Sequence, residues 1–592
     1  MSFAPFMSLA LFVALSGLAP IPPPLSPEVK LVIASLRSGE RERIEKALGP
    51  IGDLPLYRAE LDFNPNTRIV TGKVLVTVTP KQATSSLSLR VTANANNEGA
   101  VKLTTATVNG VPATALALTE GSLYKIRFAA PAPAGVPFTV EARLTARVPA
   151  AEADSDHLAV DPDAMDGPGG DYGAFSVTPE VTCLAGLIPM VPFIRPDGAP
   201  AAAPSGIGDL GTFDPSHFLI TLSVPSGYSV VAPGEKIGEV PDAQGRVRTT
   251  YAVAAARELP MLVTKGYQVS TVDVGDITVE SHFSAQDAKT GKTVLTHAAN
   301  ALRTIQEKLG PYPYRKFRVV EAHLSNGAGG MEFPGLITVA TSIYRGSTNP
   351  LGALGMPELT KNPILAPLLA AHMGSMIANT LEFTVDHEVA HQYIAMLVGN
   401  DPIEEPIADE PLTQAVALLI MEWQNKPALA AEIREQQVKM AFQMMRLMNR
   451  PDARANRPTS DFTSNIEYAG LIYGKAALMF DAQRSLVGPD RFDRALRTYV
   501  DEYRYKWVTA KTFTSVLARG GQGEQLEKLR RRWWDEKHGD EDIGAADLES
   551  MIEKMTGDAP GKPGDSTNAQ PQGIDPKLIE QYNAAMKALM AE

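Results

Sequence analysis

Cysteine is almost absent from this chain of 592 residues, and Cys183 is the single example. One thiol cannot form an intrachain disulfide, so no disulfide framework holds the fold together. Its neighbours Val181, Thr182 and Leu184 are mostly apolar, which predicts a buried structural thiol rather than a nucleophile. The scarcity of cysteine leaves the cellular compartment open.

A surplus of basic residues is also missing. The chain has 55 Lys and Arg against 67 Asp and Glu, a net charge of −12. No basic stripe compensates this charge, so nucleic acid is not expected as a partner. The 44% of hydrophobic and 21% of charged residues are ordinary for globular proteins. At this length we expect several domains, because single cores stop growing at a smaller size.

Long apolar runs are scarce, and the clearest one stands at the N-terminus. Residues 3–19 are uncharged and mostly apolar, end in small residues, and precede a Pro-rich stretch. The run is short for a membrane span of about 20 residues and favours a signal peptide, with an uncleaved anchor as the alternative. We therefore expect export to the periplasm or the extracellular space; a membrane-anchored or a cytoplasmic protein is the alternative. Any membrane association would come through this segment.

The sequence does contain a glutamate between two closely spaced histidines, His387-Glu388-Val389-Ala390-His391. Residues four apart lie on one face of a helix, so His387 and His391 can present two imidazoles to one ion. Glu388 would then stand beside that ion rather than on it, where a water-activating carboxylate belongs. The apolar residues on both sides of the motif are typical of a core helix.

A third ligand follows on the next predicted helix. Eighteen residues separate His391 from Glu410. Two His and one Glu predict a catalytic Zn²⁺ site, one per chain, with a fourth position left for water. The alternative is a surface helix in which the two histidines and the glutamate have no common function.

Two periodicities divide the chain. From Leu56 onward, short segments of roughly alternating polarity are separated by Gly and Pro clusters, as in a β-sandwich or saddle of about 200 residues. Near Ala285 the period changes to 3.6, and helices are expected over Thr293–Leu309, Leu365–Leu381 and much of the remainder. The chain is therefore expected to be an α+β multidomain protein, with an antiparallel β domain before a mostly α-helical one.

A Gly-rich stretch, residues 326–335, lies between two predicted strands of the second half. It lacks the Gly-Lys-Ser/Thr ending and does not open a helix, which excludes a phosphate-binding loop. A tight hairpin between the strands remains open at this point.

Three motifs, in this order along the chain, resemble those of the M1 zinc aminopeptidases. The family's Gly-x-Met-Glu-Asn loop is matched by Gly329-Gly330-Met331-Glu332-Phe333, with Phe in place of Asn. Its HExxH motif and third ligand are matched at positions 387–391 and 410. Its Tyr-x-Lys-Gly segment is matched by Tyr473-Gly474-Lys475-Ala476, with Ala in place of the last Gly.

The resemblance implies a zinc-dependent aminopeptidase and a role for each matched residue. His387, His391 and Glu410 would bind the Zn²⁺, and Glu388 would be the general base toward the zinc-bound water. Tyr473 would stabilise the oxyanion. The substrate-binding residues would be those of the Gly-rich loop, Gly329, Gly330, Met331 and Glu332.

The substrates implied are peptides with a free N-terminus, because Glu332 would receive the α-ammonium group. Family members hold this group with a second acid from the β domain, for which Glu180 is the candidate here. Tyr468, five residues before Tyr473, is either a companion to the catalytic tyrosine or a structural residue. Oligomeric state and side-chain preference are left open.

The resemblance also implies the domain order, a β saddle followed by a thermolysin-like zinc peptidase domain. We expect the following divisions: a signal peptide or anchor with a Pro-rich start (1–27), a leading helix (28–50), the N-terminal β domain (51–275), the catalytic domain (276–557), and a linker with a short terminal helix (558–592). Two alternatives to the aminopeptidase remain: a catalytically inactive M1-like binding scaffold, and a zinc hydrolase or endopeptidase without N-terminal specificity.

Overall fold

The computed structural model describes residues 24–151, 167–211, 213–347 and 365–544. The expected signal peptide or anchor and the expected terminal helix lie outside these ranges. Within them, no helix has the length and apolar character required to cross a membrane.

The predicted leading helix is wrong in one respect, because the structure has two short helices instead of one. Pro27–Ile33 begins at Ser26, whose hydroxyl accepts a hydrogen bond from the backbone N–H of Val29. Glu40–Leu48 follows after Gly39, which adopts a φ of 78°. The first helix ends at Ala34, and the chain turns over residues 34–39 before Gly39, with its positive φ, leads into the second helix.

An eight-stranded sheet forms the first half of the protein. In strand Leu56–Asn64 the inward residues Tyr57, Ala59, Leu61 and Phe63 are buried, which is the alternation expected of a strand with one face on a core. From edge to edge the strands are Glu235–Pro241, Arg246–Ala256, Ser216–Pro225, Leu56–Asn64, Ile69–Val78, Phe138–Arg147, Val101–Val108 and Val111–Pro112.

The pairing in this sheet is antiparallel except at one place. Leu56–Asn64 runs parallel to Ser216–Pro225, with Leu61 opposite Leu222. Two smaller antiparallel sheets complete the β-rich half. Their strands are Thr84–Arg90, Leu123–Ala132 and Ala115–Glu120 in one, and Tyr228–Val231, Leu262–Lys265, Val181–Leu184 and Phe175–Val177 in the other. Cys183 is buried in this last sheet, as predicted.

A five-stranded mixed sheet begins the second half. Its strands in spatial order are Tyr267–Val274, Ile277–Ser284, Lys316–Ala322, Leu336–Ala340 and Gly330–Phe333. The predicted division between residues 275 and 276 therefore falls in the turn between two paired strands. The helix Ala288–Leu309 packs on this sheet through Val294, Ala298 and Leu302, all fully buried.

Helices fill the rest of the second half. The longest is Leu365–His391, which we call the metal helix. It runs unbroken through the two helical stretches that the sequence suggested separately. The others are Thr341–Gly346, Glu410–Trp423, Pro427–Ile433, Met440–Leu447, Asn465–Tyr468, Leu478–Val487, Pro489–Tyr503, Thr512–Ala518, Gly523–Arg530 and Gly539–Asp542, with π-helical turns at Arg434–Lys439, Ala469–Ala476 and Arg531–Asp535.

Candidate metal centre and active site

Both histidines of the motif lie in the last turn and a half of the metal helix. His387 is 8% and His391 1% exposed. Their Nε2 atoms are 3.0 Å apart, because the four-residue spacing brings the two imidazoles together on one face.

Glu410, the first residue of helix Glu410–Trp423, completes the group. Its Oε2 lies 3.2 Å from Nε2 of His387 and 3.3 Å from Nε2 of His391. Ligand atoms about 2.0–2.1 Å from a tetrahedral zinc lie about 3.3 Å from one another, so these three atoms fit one zinc. Oε2 is buried and makes no hydrogen bond, as expected of an atom kept free for a cation.

A second layer of polar groups orients His391. Its Nδ1 lies 3.4 Å from Oδ1 of Asp409 and 3.3 Å from Oγ1 of Thr413. Asn400 in turn donates a hydrogen bond to the other oxygen of Asp409 at 3.1 Å. Such contacts to the second ring nitrogen direct Nε2 toward the metal position.

The charges of the group act strongly on one another. Burial alone would lower the pKa of His391, but the charges of Glu332 and Glu410 raise it above the ordinary value. Burial would raise the pKa of Glu410, and the two histidines reverse this and lower it. The carboxylate form, the one able to bind a cation, is therefore favoured at Glu410.

Glu388 lies beside the three candidate ligands and points into the same cavity. Burial, and next the charge of Glu332, raise the pKa of its carboxyl well above the ordinary range. Its Oε2 is buried without a hydrogen-bond partner. A Cβ on Gly330 would collide with this carboxylate, so the backbone of the Gly-rich stretch passes directly over Glu388.

The Gly-rich stretch is a hairpin, and its first strand, Gly330–Phe333, is the edge of the five-stranded sheet. Gln392, directly after the metal helix, holds this hairpin. Its side chain accepts a hydrogen bond from the N–H of Gly335 at 2.9 Å and donates one to the carbonyl of Phe333 at 3.0 Å. Glu332 lines the cavity, and burial raises its pKa to about 7.

Tyr473 reaches the metal position from the π-helical turn Ala469–Ala476. Its hydroxyl donates a hydrogen bond to Oε1 of Glu410 at 2.5 Å. Burial raises the pKa of this phenol, which therefore stays protonated as a donor. The ring of Tyr468 packs against it with centroids 5.9 Å apart, and Tyr468 also lines the cavity.

One cavity of about 300 Å³ brings together all nine site residues predicted from the sequence. Glu180, the candidate for the second acid, is elsewhere. It is 48% exposed, lies 3.6 Å from a guanidinium nitrogen of Arg345, and does not line the cavity. Glu180 is therefore not the second acid of this site.

Two acids that the sequence did not suggest do line the cavity. Asp209 lies in a loop between glycines, and Glu258 follows the end of strand Arg246–Ala256. An acid within a Gly-rich loop is the local signal that could have drawn attention to Asp209. For Glu258 we find no such signal, because its place depends on how the β-rich half meets the helices.

Comparisons with known proteins agree with this geometry. Residues 361–533 match the family model described as "Peptidase family M1 domain". This segment of the chain is therefore an M1 peptidase domain. The match includes the three candidate metal ligands, Glu388 and Tyr473, and it begins after the hairpin that carries Glu332.

Solved structures of M1 metallopeptidases have a similar overall fold. An M1 zinc metallopeptidase from Deinococcus radiodurans superposes with a TM-score of 0.55 at 16% identity, covering 81% of this chain and 93% of that one. A mutant of that enzyme bound to a Tyr-Ser-Ala substrate gives 0.53 at 18% identity, covering 81% and 93%. These likenesses show the shared fold: a β-rich domain followed by a helical domain.

A curated relative is the rice (Oryza sativa subsp. japonica) protein "Aminopeptidase M1-B". It is 25% identical over 336 residues, which is 54% of this chain and 34% of the relative. The matched part thus spans about a third of the rice protein's length.

Proposed function

We propose that this protein is a zinc-dependent aminopeptidase that removes N-terminal residues from peptides. The observation that carries the proposal is the single cavity in which a His-His-Glu group, a buried glutamate, a phenol and a further carboxylate meet. The Tyr-Ser-Ala substrate bound by the D. radiodurans enzyme supports a peptide as the substrate class.

The residues that would hold the zinc are His387, His391 and Glu410, whose ligand atoms lie 3.0–3.3 Å apart. When bound there, zinc supplies a Lewis acid that polarises a carbonyl and lowers the pKa of a water to about 7. The remaining steps depend on side chains of the chain itself.

Glu388 is the proton carrier. Its carboxylate takes a proton from the water that attacks the peptide carbonyl, and the same proton passes to the departing amine as the C–N bond breaks. Burial raises the pKa of Glu388, which lets the group hold that proton between the two transfers.

Tyr473 is the donor for the developing oxyanion. Its hydroxyl already lies at the metal position, where it donates to Glu410. Turning this donor to the substrate oxygen stabilises the charge that builds in the tetrahedral intermediate.

Glu332 binds the N-terminal ammonium group of the substrate and so fixes which peptide bond reaches the metal position. An ammonium ion and a buried carboxylate form a favourable pair. Burial raises the pKa of Glu332 to about 7, and a bound ammonium ion would favour its ionised form. A carboxylate at a fixed distance from the reacting carbonyl selects the first peptide bond, which makes the enzyme an exopeptidase.

The test is hydrolysis of aminoacyl reporter amides and of one peptide in free and N-acetylated form. We expect cleavage of the free forms only, abolished by chelator, and a loss of at least about a thousandfold in kcat for Glu388→Gln. Glu404→Gln, an exposed acid paired with Arg195, should keep full activity. Cleavage of the acetylated peptide would indicate an endopeptidase, and zinc binding without turnover an inactive scaffold.

We also propose export, on the N-terminal apolar run at residues 3–19. N-terminal sequencing of the protein from its native cell tests this, because removal of that run is the expected result.

A further inference from the structure

The cavity is much more acidic than one ammonium group requires. Among the lining residues that the structure describes there are six acids and no Lys or Arg. Four of the acids already have partners or roles: Glu410 as a metal ligand, Asp409 beside His391, Glu388 as proton carrier and Glu332 for the α-ammonium. Asp209 and Glu258 remain.

Neither of these two acids has a Lys or Arg partner in the part of the chain that the structure describes. Both are half-buried, and Oδ2 of Asp209 is buried without a hydrogen bond. A carboxylate held partly away from water without a cationic partner is costly, so both positions favour a cationic ligand.

The cation next to Glu258 in sequence faces away from it. Arg257 donates hydrogen bonds to the carbonyls of Phe213, Met396 and Lys506 at 3.0–3.2 Å and lies over the ring of Trp507. These contacts occupy the guanidinium of Arg257, and Glu258 itself lines the cavity.

The backbone next to Asp209 is fixed as well. The N–H of Gly208 donates to the hydroxyl of Tyr172 at 3.0 Å, and that hydroxyl donates to Asn465. Gly208 has a φ of 74°, and a Cβ there would press on the Tyr468 hydroxyl, so the loop closely approaches the tyrosines of the site.

The two acids reach the cavity from different segments. Asp209 follows Gly208, which abuts the Tyr468 hydroxyl, and Tyr468 packs on Tyr473, the donor to Glu410, so Asp209 lies on the metal side of the cavity. Glu258 follows Arg257, which donates to the carbonyl of Met396, another lining residue. Asp209 is thus the acid placed to share the α-ammonium with Glu332, and Glu258 is the acid left for the side chain of the first residue.

We propose that the cavity binds two positive charges, the α-ammonium between Glu332 and Asp209 and a cationic side chain at Glu258, so that the preferred substrates begin with Lys or Arg. This inference rests on the proposed aminopeptidase function and gives it a substrate class. It makes Glu258 a specificity-determining residue and Asp209 the second amine-binding acid.

The experiment compares lysyl and norleucyl reporter amides, which have similar shape but differ by one ammonium group. We expect kcat/KM of the wild-type zinc enzyme to be at least about tenfold higher for the lysyl amide, and the preference to shrink as NaCl increases. In Glu258→Gln this ratio should fall about tenfold. Asp209→Asn should lower kcat/KM for both amides by a similar factor, since both carry the α-ammonium. Glu180→Gln, the exposed control, should leave the ratio unchanged.

Binding measurements separate the two proposals. Calorimetry with the free amino acids L-lysine and L-norleucine should show tighter binding of lysine to the wild-type protein, whether or not it turns over. Cleavage of both amides at equal rates, with equal binding, would overturn the inference and leave the aminopeptidase standing. Cleavage of neither amide nor any other aminoacyl amide would overturn the function, and the calorimetry would still decide the charge preference. If Glu258→Gln does not fold, the wild-type ratio and the calorimetry decide.

Discussion

The β-rich half and the metal-bearing half of this protein bury different kinds of side chain. Between residues 56 and 265, Arg90 and Arg257 are the fully buried charged residues that the structure describes, and Asp209 and Glu258 are half-buried at the cavity. Between 267 and 544 there are many more: Asp287, Arg318, Glu321, Glu382, Asp386, Glu388, Asp409, Glu410, Glu467, Lys475, Arg504 and Arg530. The first half is a stable scaffold of apolar strands, and the second holds charge that only a ligand or a dense polar network can stabilise.

The strongest effect should come from removing a candidate ligand in the second half. In Glu410→Gln we expect zinc affinity to fall by about a thousandfold, roughly one third of the binding free energy of a structural-type zinc site. Metal analysis after dialysis measures this loss. Glu432→Gln, an exposed acid on a neighbouring helix, should bind zinc as the wild type does. Full zinc content in Glu410→Gln would remove this residue from the metal site.

An equally buried change in the first half should act on stability instead. Phe218 is fully buried and its ring stacks on Tyr57 at 5.1 Å between centroids. We expect Phe218→Ala to lower the free energy of unfolding by about 3–5 kcal/mol in urea denaturation, with activity per folded molecule retained. Val269→Ala, 52% exposed, should change it by less than about 0.5 kcal/mol. Lost activity at unchanged stability would contradict the division between the halves.

Tyr473→Phe should separate chemistry from folding within the second half. Deleting the hydroxyl removes the oxyanion donor, so we expect kcat to fall by about a hundredfold or more with little change in KM or in the unfolding midpoint. Tyr503→Phe, whose ring packs on Tyr499 away from the cavity, is the control. Equal kcat in the two variants would exclude the phenol from the reaction.

The smallest effect concerns pH and Glu258, the cavity acid that follows strand Arg246–Ala256. Burial and the charge of Glu332 raise the pKa of Glu258 to about 8, so its carboxyl is neutral below that pH and charged above it. The lysyl-to-norleucyl ratio of kcat/KM should therefore rise severalfold between pH 6.5 and 8.5. The α-ammonium titrates alike in both amides and cancels from the ratio. In Glu258→Gln the ratio should be flat, and a persistent rise there would assign the titration to another group.

Sequence reasoning predicts well what depends on local geometry. The i, i+4 spacing of His387 and His391 fixes their common face, and alternation in Leu56–Asn64 fixes its buried side. Three motifs predicted an M1 peptidase domain and two periodicities predicted the order of β-rich and helical domains; the family match over residues 361–533 and the fold confirm both. The roles of Glu388, Tyr473 and Glu332 stay predictions, although all three residues lie in one cavity.

What the sequence could not provide depends on distant contacts. The parallel pairing of Leu56–Asn64 with Ser216–Pro225 joins segments about 160 residues apart, and no local pattern encodes that choice. The prediction of Glu180 as the second acid was wrong for the same reason: the side chain lies beside Arg345, which is far away in sequence. The break at residues 34–39 shows that a charged stretch with helical spacing can still contain a turn.

Arg257 holds together carbonyls from both halves, Phe213 on one side and Met396 and Lys506 on the other. The acid next to it therefore sits on a seam, whereas the histidines and Glu388 sit within a single helix. If the proposed function holds, mild warming or denaturant that loosens this contact should weaken the substrate preference before it abolishes hydrolysis. The substrate preference would then report how firmly the two halves are held together.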